Sequence, residues 1–296
     1  MQASVFFIYN VTAGLVNERQ IDSYIEALTT AGYIVTTLLT GPGTASYHHH
    51  FHRMSRDVGA SIVIAGGDGT VRHVLQELAD LPCRVAVLPL GTANVLAQEL
   101  ASPSTPQGLL KLLAEGKERP LNLIKAGDKS FAAVASVGFD ATVVRDVSIS
   151  LKAKMGKFAY VWASLKKLCV FRPQTFTVEL NGAAYKAESI LLINGRYYAG
   201  RMLAVPDGSI EQPSLSVLLL RIRSRLDFLR YTVLLVFARL HRARGVTCFS
   251  TRQVSVSTQG QPVQLDGDYC GKSPIRFTCA PTGNIRVLST HFANKS

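Results

Sequence analysis

The sequence predicts an N-terminal α/β domain with a parallel sheet, followed by a mostly antiparallel β domain. Three observations carry that prediction. The first 120 residues alternate β-rich runs with helix-period segments across glycine turns. From about residue 121, short strand runs follow one another between Gly, Asn and Pro turns. The charge balance also changes sign near the middle of the chain.

In order, Ser4 to Tyr9 reads as a strand. Asn17 to Ala31 reads as a helix with Ile21, Ile25 and Leu28 on one face and Gly32 as its stop. Tyr33 to Leu39 is a β-branched strand, and Thr44 to Val58 a helix. Ser61 to Ala65 is a buried strand that leads through a glycine turn into the helix Val71 to Ala79. Arg84 to Leu88 repeats that arrangement and leads into the helix Ala93 to Leu100. Repeated β-turn-α units imply a parallel sheet covered on both faces. Beyond the boundary at 120–125, strands are expected at 121–126, 131–137, 175–180, 189–194, 215–222, 254–258, 262–265 and 275–280. Helical inserts are expected near 152–168 and 224–240. The domains are therefore 1–122 and 123–283, with Asn284 to Leu288 expected to return to the first as a last strand.

Composition narrows the function classes. At 47% hydrophobic and 18% charged, the chain has ample material for packed cores. No apolar run approaches the roughly 20 residues of a membrane-spanning helix, and the N-terminus lacks a secretory pattern, so a cytoplasmic protein is expected. Five cysteines without a C-x-x-C pair suggest reduced, mostly buried thiols, with Cys270 and Cys279 on neighbouring strands. His48 and His52 stand four residues apart on the expected helix but no third ligand is evident, so His48, His49, His50 and His52 read as a solvated helix face. Residues 1–150 carry 11 Lys/Arg against 13 Asp/Glu, whereas residues 151–296 carry 21 against 7. The excess of +14 in the second half points to an anionic partner. Between Arg221 and Arg244 stand seven arginines and one acid, Asp227, interleaved with apolar residues such as Leu226 and Leu229. A basic helix of that kind suits an anionic membrane surface. The aromatic interleaving of an RNA-binding sheet is missing, so no nucleic-acid partner is expected.

Two turns carry the chemistry. Gly66-Gly67-Asp68-Gly69-Thr70 follows one buried strand, and Leu90-Gly91-Thr92-Ala93-Asn94 follows the next. Glycines let a backbone approach phosphate, a helix N-terminus offers it N–H groups, and an aspartate there can hold Mg²⁺ or take a proton. Neither turn matches the P-loop or the dinucleotide-binding fingerprint. In a parallel sheet both turns share the carboxyl edge, joined there by Asn10 to Gly14 and Thr40-Gly41.

These turns resemble the diacylglycerol kinase/sphingosine kinase catalytic superfamily, in particular its bacterial lipid kinase branch. Further matches run in order through Gly138-Phe139-Asp140-Ala141, through the segment from Asn194 to Gly200, and through Asp266-Gly267-Asp268. The resemblance implies an α/β nucleotide domain and a C-terminal β-sandwich with the active site in the cleft between. It implies an ATP- and Mg²⁺-dependent kinase that phosphorylates a lipid hydroxyl and contacts an anionic membrane transiently. ATP would be bound by Thr40, by Gly66, Gly67, Asp68, Gly69, Thr70, Val71 and Arg72, and by Gly91 and Thr92, with Asn10 and Asn94 nearby. Asp68 would meet the phosphates through Mg²⁺; in the sphingosine kinase branch the matching residue is assigned as base. Asp266 and Asp268 supply the candidate base for the lipid hydroxyl.

The chain departs from the family pattern in three places. Arg72-His73 replaces the usual Asn-Glu, Asp268 replaces Glu, and Gln212-Pro213 and Ser216 stand where a metal-binding segment has Asp-Gly and Asp. That segment is not expected to hold the family's structural Mg²⁺, because a neutral amide is a poor ligand for a hard cation. Two other readings stand beside the kinase: a weakly active nucleotide-binding regulator and an NAD kinase-like enzyme. The particular lipid and the oligomeric state are not encoded in any motif.

Overall fold

The computed structural model describes residues 3–10, 17–41, 60–146, 174–279 and 284–290. The predicted helices at 44–58 and 152–168, the histidine group and Cys169 lie outside the described residues. The chain divides into two compact units, residues 1–122 with 282–296 and residues 123–281.

The first unit is a six-stranded sheet. Its strands are β1 (Ser4–Tyr9), β2 (Ile34–Leu39), β3 (Ser61–Gly66), β4 (Cys83–Pro89), β5 (Lys117–Pro120) and the late β20 (Ile285–Ser289), in the order β2-β1-β3-β4-β20-β5. The first four strands are mutually parallel, β20 is parallel to β4, and β5 closes the edge antiparallel to β20. All six residues of β3 are buried, as expected of a central strand covered on both faces. Val63 and Ala65 join Phe7, Tyr24, Leu28, Leu88 and Leu112 in one core cluster. Ile62 and Ile64 alternate to the opposite face and are equally buried.

Helix α1 (Glu18–Thr30) starts at Asn17, whose side chain accepts from the Arg19 N–H, and it buries Ile21, Tyr24 and Leu28. Helix α2 (Asp68–Glu77) begins three residues earlier than its apolar period suggested, with Gly67 as N-cap, so Asp68 to Thr70 form its first turn. Helix α3 (Val95–Glu99) begins two residues later than expected, because Asn94 sits in the left-handed region at φ 52°. Helix α4 (Pro106–Glu115) was missed, although Thr105 caps it through the Gly108 N–H and Pro106 occupies its first turn.

The second unit stacks two antiparallel six-stranded sheets. One contains β6 (Ile124–Ala126), β7 (Lys129–Phe131), β9 (Phe176–Leu180), β10 (Ala183–Ala187), β16 (Gln253–Val256) and β19 (Ile275–Cys279). The other contains β8 (Val134–Gly138), β11 (Ser189–Ile193), β14 (Leu215–Leu220), β15 (Val246–Thr251), β17 (Pro262–Leu265) and β18 (Asp268–Lys272), in the order β15-β14-β11-β8-β17-β18. Residues of both sheets, among them Phe131, Phe176, Val178, Ile190, Leu192, Val217, Leu265 and Phe277, fill the core between them. A small hairpin, β12 (Tyr197–Tyr198) with β13 (Met202–Leu203), stands apart.

Helix α5 (Phe139–Asp146) follows β8, and α6 (Arg225–Val236) covers the outer face of the second sheet. There Leu191, Ile193, Leu218 and Leu220, which alternate with the inter-sheet residues, pack with Tyr231 and Leu235 of α6. That double duty explains why β11 and β14 read as continuous apolar runs. The expected helix to residue 240 instead ends at Val236 and is followed by a short 3₁₀ turn at Leu240–Arg242.

Two hairpins were legible but unread. Asn181 and Gly182 have φ of 51° and 78°, and Leu180 pairs with Ala183 around them. Asp266 and Gly267 have φ of 46° and 82°, and Leu265 pairs with Asp268. Positive φ at both central residues marks the two-residue turn that Asn-Gly and Asp-Gly favour. The expected strand 131–137 is in fact β7 and β8, broken at residues 132–133. Cys270 and Cys279 fall on β18 and β19, consecutive in the chain but in different sheets. The thiols are also less buried than expected: of the four described, Cys279 is buried, Cys83 and Cys270 are intermediate, and Cys248 is exposed.

A methyl group at Gly182 meets no atom within 4 Å, so Gly182→Ala isolates the cost of the left-handed backbone. That variant is expected to lose about 1 kcal/mol in denaturant titration. An unchanged midpoint would contradict this turn geometry.

Candidate functional site

The carboxyl edge of the first sheet gathers the ends of four parallel strands. Tyr9 lies beside Leu39 and Ala65 in register, and Gly66 beside Pro89. The residues that follow these strand ends therefore emerge side by side. Thr40 is buried, and its N–H donates to the Tyr9 carbonyl at 2.8 Å. Asn10 donates from Nδ2 to the Thr70 hydroxyl at 3.3 Å, which ties the end of β1 to the first turn of α2.

The two glycine turns touch through bare backbone. A Cβ on Gly91 would lie 2.3 Å from the Gly67 Cα and 2.8 Å from the Asn94 Oδ1. A Cβ on Gly66 would lie 2.7 Å from the Thr70 side chain. The Leu90 N–H donates to the Gly66 carbonyl at 3.1 Å, closing the two turns together. Asn94 then folds back on its own turn. Its Oδ1 accepts from the Gly91 N–H at 2.8 Å, and its Nδ2 donates to the Gly91 carbonyl at 2.7 Å.

Asp68 is the group that joins the helices behind the turns. Its Oδ1 accepts from the Val95 N–H at 2.6 Å, so a carboxylate in the first turn of α2 anchors the start of α3. Gly69, Thr92 and Arg72 are half-buried along the same edge. Val71 does not belong with them. Its side chain is buried, and its N–H closes the first helical turn on the Gly67 carbonyl at 3.0 Å, leaving neither group for a ligand.

In the second unit the candidate carboxylates take different roles. Asp266 is buried, with Oδ2 accepting from the Ala132 N–H at 2.7 Å. Its Oδ1 accepts from the Ala133 and Val134 N–H groups at 3.0 and 2.8 Å. Asn194, first residue of another matched motif, grips the same segment by donating from Nδ2 to the Ala132 carbonyl at 2.8 Å. Together they impose the break between β7 and β8. Asp268 is half-buried at the start of β18.

Between these lies a cluster with no role assigned at the sequence level. The Ser136 hydroxyl donates to Asp140 Oδ2 at 2.5 Å, and the Tyr198 hydroxyl makes a short bond to Asp140 Oδ1. Gln264 also bonds to Asp140, and its Oε1 accepts from the Gly267 N–H at 2.9 Å. Gln264 therefore connects Asp140 to the Asp266-Gly267-Asp268 turn. Asp140 is half-buried as a residue, yet desolvation of its carboxyl pushes the group above the usual carboxylate range, against the opposing hydrogen bonds from Ser136, Tyr198 and Gln264. Gln264 stands two residues before Asp266, on the strand that leads into the Asp266-Gly267 turn.

The segment 206–216 lines a cavity of about 220 Å³ with Asp207, Gln212, Ser214, Ser216 and Cys248. Asp207 is the one carboxylate in that lining, and among the described residues no group of three His, Cys, Asp or Glu could hold a metal ion. This donor set does not fit a structural divalent cation. Burial also raises the Cys248 thiol in that lining. Burial pushes Cys83 up to about 12 and, against the opposing charge of Arg252, Cys279 up to about 11, so both stay protonated.

Residues 4–126 match the diacylglycerol kinase catalytic domain, and residues 133–289 match the YegS C-terminal NAD kinase beta sandwich-like domain. The chain belongs to the YegS/diacylglycerol kinase family of lipid kinases. It is 32% identical over 231 residues to a Pseudomonas putida protein named "Probable lipid kinase YegS-like", covering 74% of each chain. It is 25% identical over 287 residues to a Staphylococcus aureus "Diacylglycerol kinase", covering 94% of this chain and 90% of that one. A Bacillus anthracis diacylglycerol kinase crystal structure superposes with a TM-score of 0.75 at 20% identity over 97% of both chains, which establishes the shared fold. The first match runs from β1 through β6 and the second from β8 through β20, so each crosses the division between the two compact units.

Two outcomes follow from the site geometry. A residue whose folded form holds a proton more tightly than the unfolded chain costs stability as pH rises from the ordinary carboxylate range toward its raised value. The melting temperature of Asp140→Asn relative to the unsubstituted protein should therefore rise between pH 4 and pH 7, and a constant difference would place Asp140 in the ordinary range. In the absence of nucleotide, EDTA should leave the melting temperature unchanged. A clear drop would reveal a structural ion.

Proposed function

We propose that this lipid kinase transfers the γ-phosphoryl group of ATP to a hydroxyl of a diacylglycerol-like lipid. The observation that carries the reading is the pair of glycine turns in backbone contact at the head of α2. The first N–H groups of a helix have no intrahelical partner and suit phosphate oxygens. Side chains at Gly66, Gly67 or Gly91 would fill or disrupt that approach. Asn10, Thr40, Gly69, Thr92 and Arg72 line the same edge and are suited to the nucleotide. Asp68 would hold Mg²⁺ at the phosphates, where the ion supplies neutralisation of charge during transfer.

The lipid hydroxyl needs a proton acceptor. Asp266 spends both oxygens on three backbone N–H groups, so its first duty is to shape the 132–134 segment. Asp268, at the other end of the same turn, is the better acceptor, and Asp140 with Gln264 sets the turn's position. The weakly active regulatory reading draws on Arg72-His73, Asp268 and the altered Gln212 and Ser216 segment, and the NAD kinase-like reading on the shared glycine-aspartate turn.

Labelled ATP with a panel of diacylglycerol, monoacylglycerol, sphingoid base, phosphatidylglycerol and NAD separates these readings. Transfer to a lipid alone supports the proposal; transfer to NAD, or ATP binding without transfer, overturns it. Asp68→Asn keeps an acceptor for the Val95 N–H and should abolish transfer while the fold survives. Asp268→Asn should lower kcat by about 10²–10⁴-fold with a normal melting temperature. Asp266→Asn replaces an oxygen with an N–H-bearing nitrogen facing backbone donors, and should lower the melting temperature. If Asp268→Asn keeps full kcat, the acceptor lies elsewhere.

A further inference from the structure

Helix α6 is apolar on two opposite sides and buries only one of them. Tyr231 and Leu235 are buried, and Phe228 and Leu234 pack with them against the second sheet. At 3.6 residues per turn, Leu226, Leu229, Val233 and Val236 fall on the far side. They are 76%, 53%, 46% and 59% exposed, and Phe237, just past the helix end, is 69% exposed. A helix that is apolar all round is normally buried all round. These five residues form a contiguous stripe on an element otherwise well fixed: Ser224 and Asp227 close a capping box at its start, and the Tyr231 hydroxyl donates to the Arg221 carbonyl at 2.9 Å.

The surroundings of the stripe select its occupant. Arg221, Arg223, Arg225, Arg230, Arg239, Arg242 and Arg244 are all exposed. Arg225 and Arg230 lie on the two sides of the stripe by helical angle. The single acid in this stretch, Asp227, accepts from the backbone N–H groups of Arg223 and Ser224 and lies 3.9 Å from Arg230. A surface with seven arginines, one acid and a protruding apolar ridge repels a second copy of itself electrostatically. It complements an interface whose outer layer is anionic and whose interior is hydrocarbon.

We infer that α6 is the membrane-docking element of this protein, with its outer stripe sunk into the acyl boundary of an anionic bilayer and its arginines on the lipid phosphates. An interfacial helix of this kind buries its apolar face by about 5–10 Å. Electrostatic capture comes first, since each guanidinium near an anionic surface is worth about fivefold in binding. The ridge then converts a salt-sensitive encounter into a held position. The inference concerns adsorption and stands whether or not the lipid-kinase reading of the first sheet edge is right.

The test is co-sedimentation of the full chain with phosphatidylglycerol or phosphatidylcholine vesicles at 0.05 M and 0.5 M salt, without nucleotide. Binding is expected to phosphatidylglycerol only, and to weaken at high salt as the Debye length contracts. Arg223→Gln with Arg225→Gln and Arg230→Gln should lose about a hundredfold in affinity. Leu226→Ser with Leu229→Ser and Phe237→Ser should bind at low salt but detach at high salt where the unsubstituted protein partly remains. Because all six positions are exposed, both variants should melt normally. Lys186→Gln with Lys272→Gln and Arg276→Gln removes equal charge elsewhere on the second unit and should bind as the unsubstituted protein does. Equal binding to both lipids, or equal losses in the control variant, would overturn the assignment. So would concentration-dependent dimerisation abolished by the serine variant, which would give the ridge to a second copy.

Discussion

The contact between Gly67 and Gly91 is the constraint on which the carboxyl edge of the first sheet depends. Two turns from adjacent parallel strands can share one binding edge only if nothing stands between them, and here a methyl group at Gly91 would sit 2.3 Å from the Gly67 Cα. Everything nearby serves that approach. Leu90 donates to Gly66, Asn94 closes a ring on Gly91, and Asp68 reaches across to the Val95 N–H. The glycines that suggest phosphate binding are thus also demanded by packing, before any ligand arrives. That double demand leaves little room for substitution at these positions.

The second unit solves a related problem with side chains instead of their absence. Asp266 and Asn194 come from turns 72 residues apart in sequence, yet both hold residues 132–134. Gln264 passes the order of that turn on to Asp140. Asp266 is fixed by three backbone donors, whereas desolvation raises Asp140 above the ordinary carboxylate range against its own hydrogen bonds. Two aspartates within one hydrogen-bonded group are therefore put to opposite physical uses.

Much of this was legible in the sequence because local signals and long-range structure agreed. The strands Ser4–Tyr9 and Ser61–Gly66 are short apolar runs that happen also to be central, and Asn17 is both a good cap and the actual cap. The same holds for the two glycine turns. Motif membership alone does not show where one residue has a structural job as well. Val71 lies inside the motif but serves the core, and Asp266 looked like a base while it also builds a hairpin turn. The hairpins at Asn181-Gly182 and Asp266-Gly267 carry a local signature only two residues long. Asp140 and Tyr198 stood in matched motifs, but their meeting was not legible: strand pairing sets Ser136 beside Gln264 across 128 residues of chain, and Tyr198 reaches Asp140 from a separate hairpin.

The last strand of the first sheet has a consequence for biosynthesis. β20 lies between β4 and β5, so the sheet remains split until residue 285 and beyond have been made. During translation β4 presents a parallel edge and β5 has no partner, while the whole sandwich is synthesised in between. Exposed strand edges are the surfaces through which nascent chains misassociate. The first sheet is therefore completed only after the sandwich has been made, with β20 joining β4 to β5. A fragment ending near residue 122 is not a smaller version of the first unit, because it lacks the strand that joins the sheet's two parts.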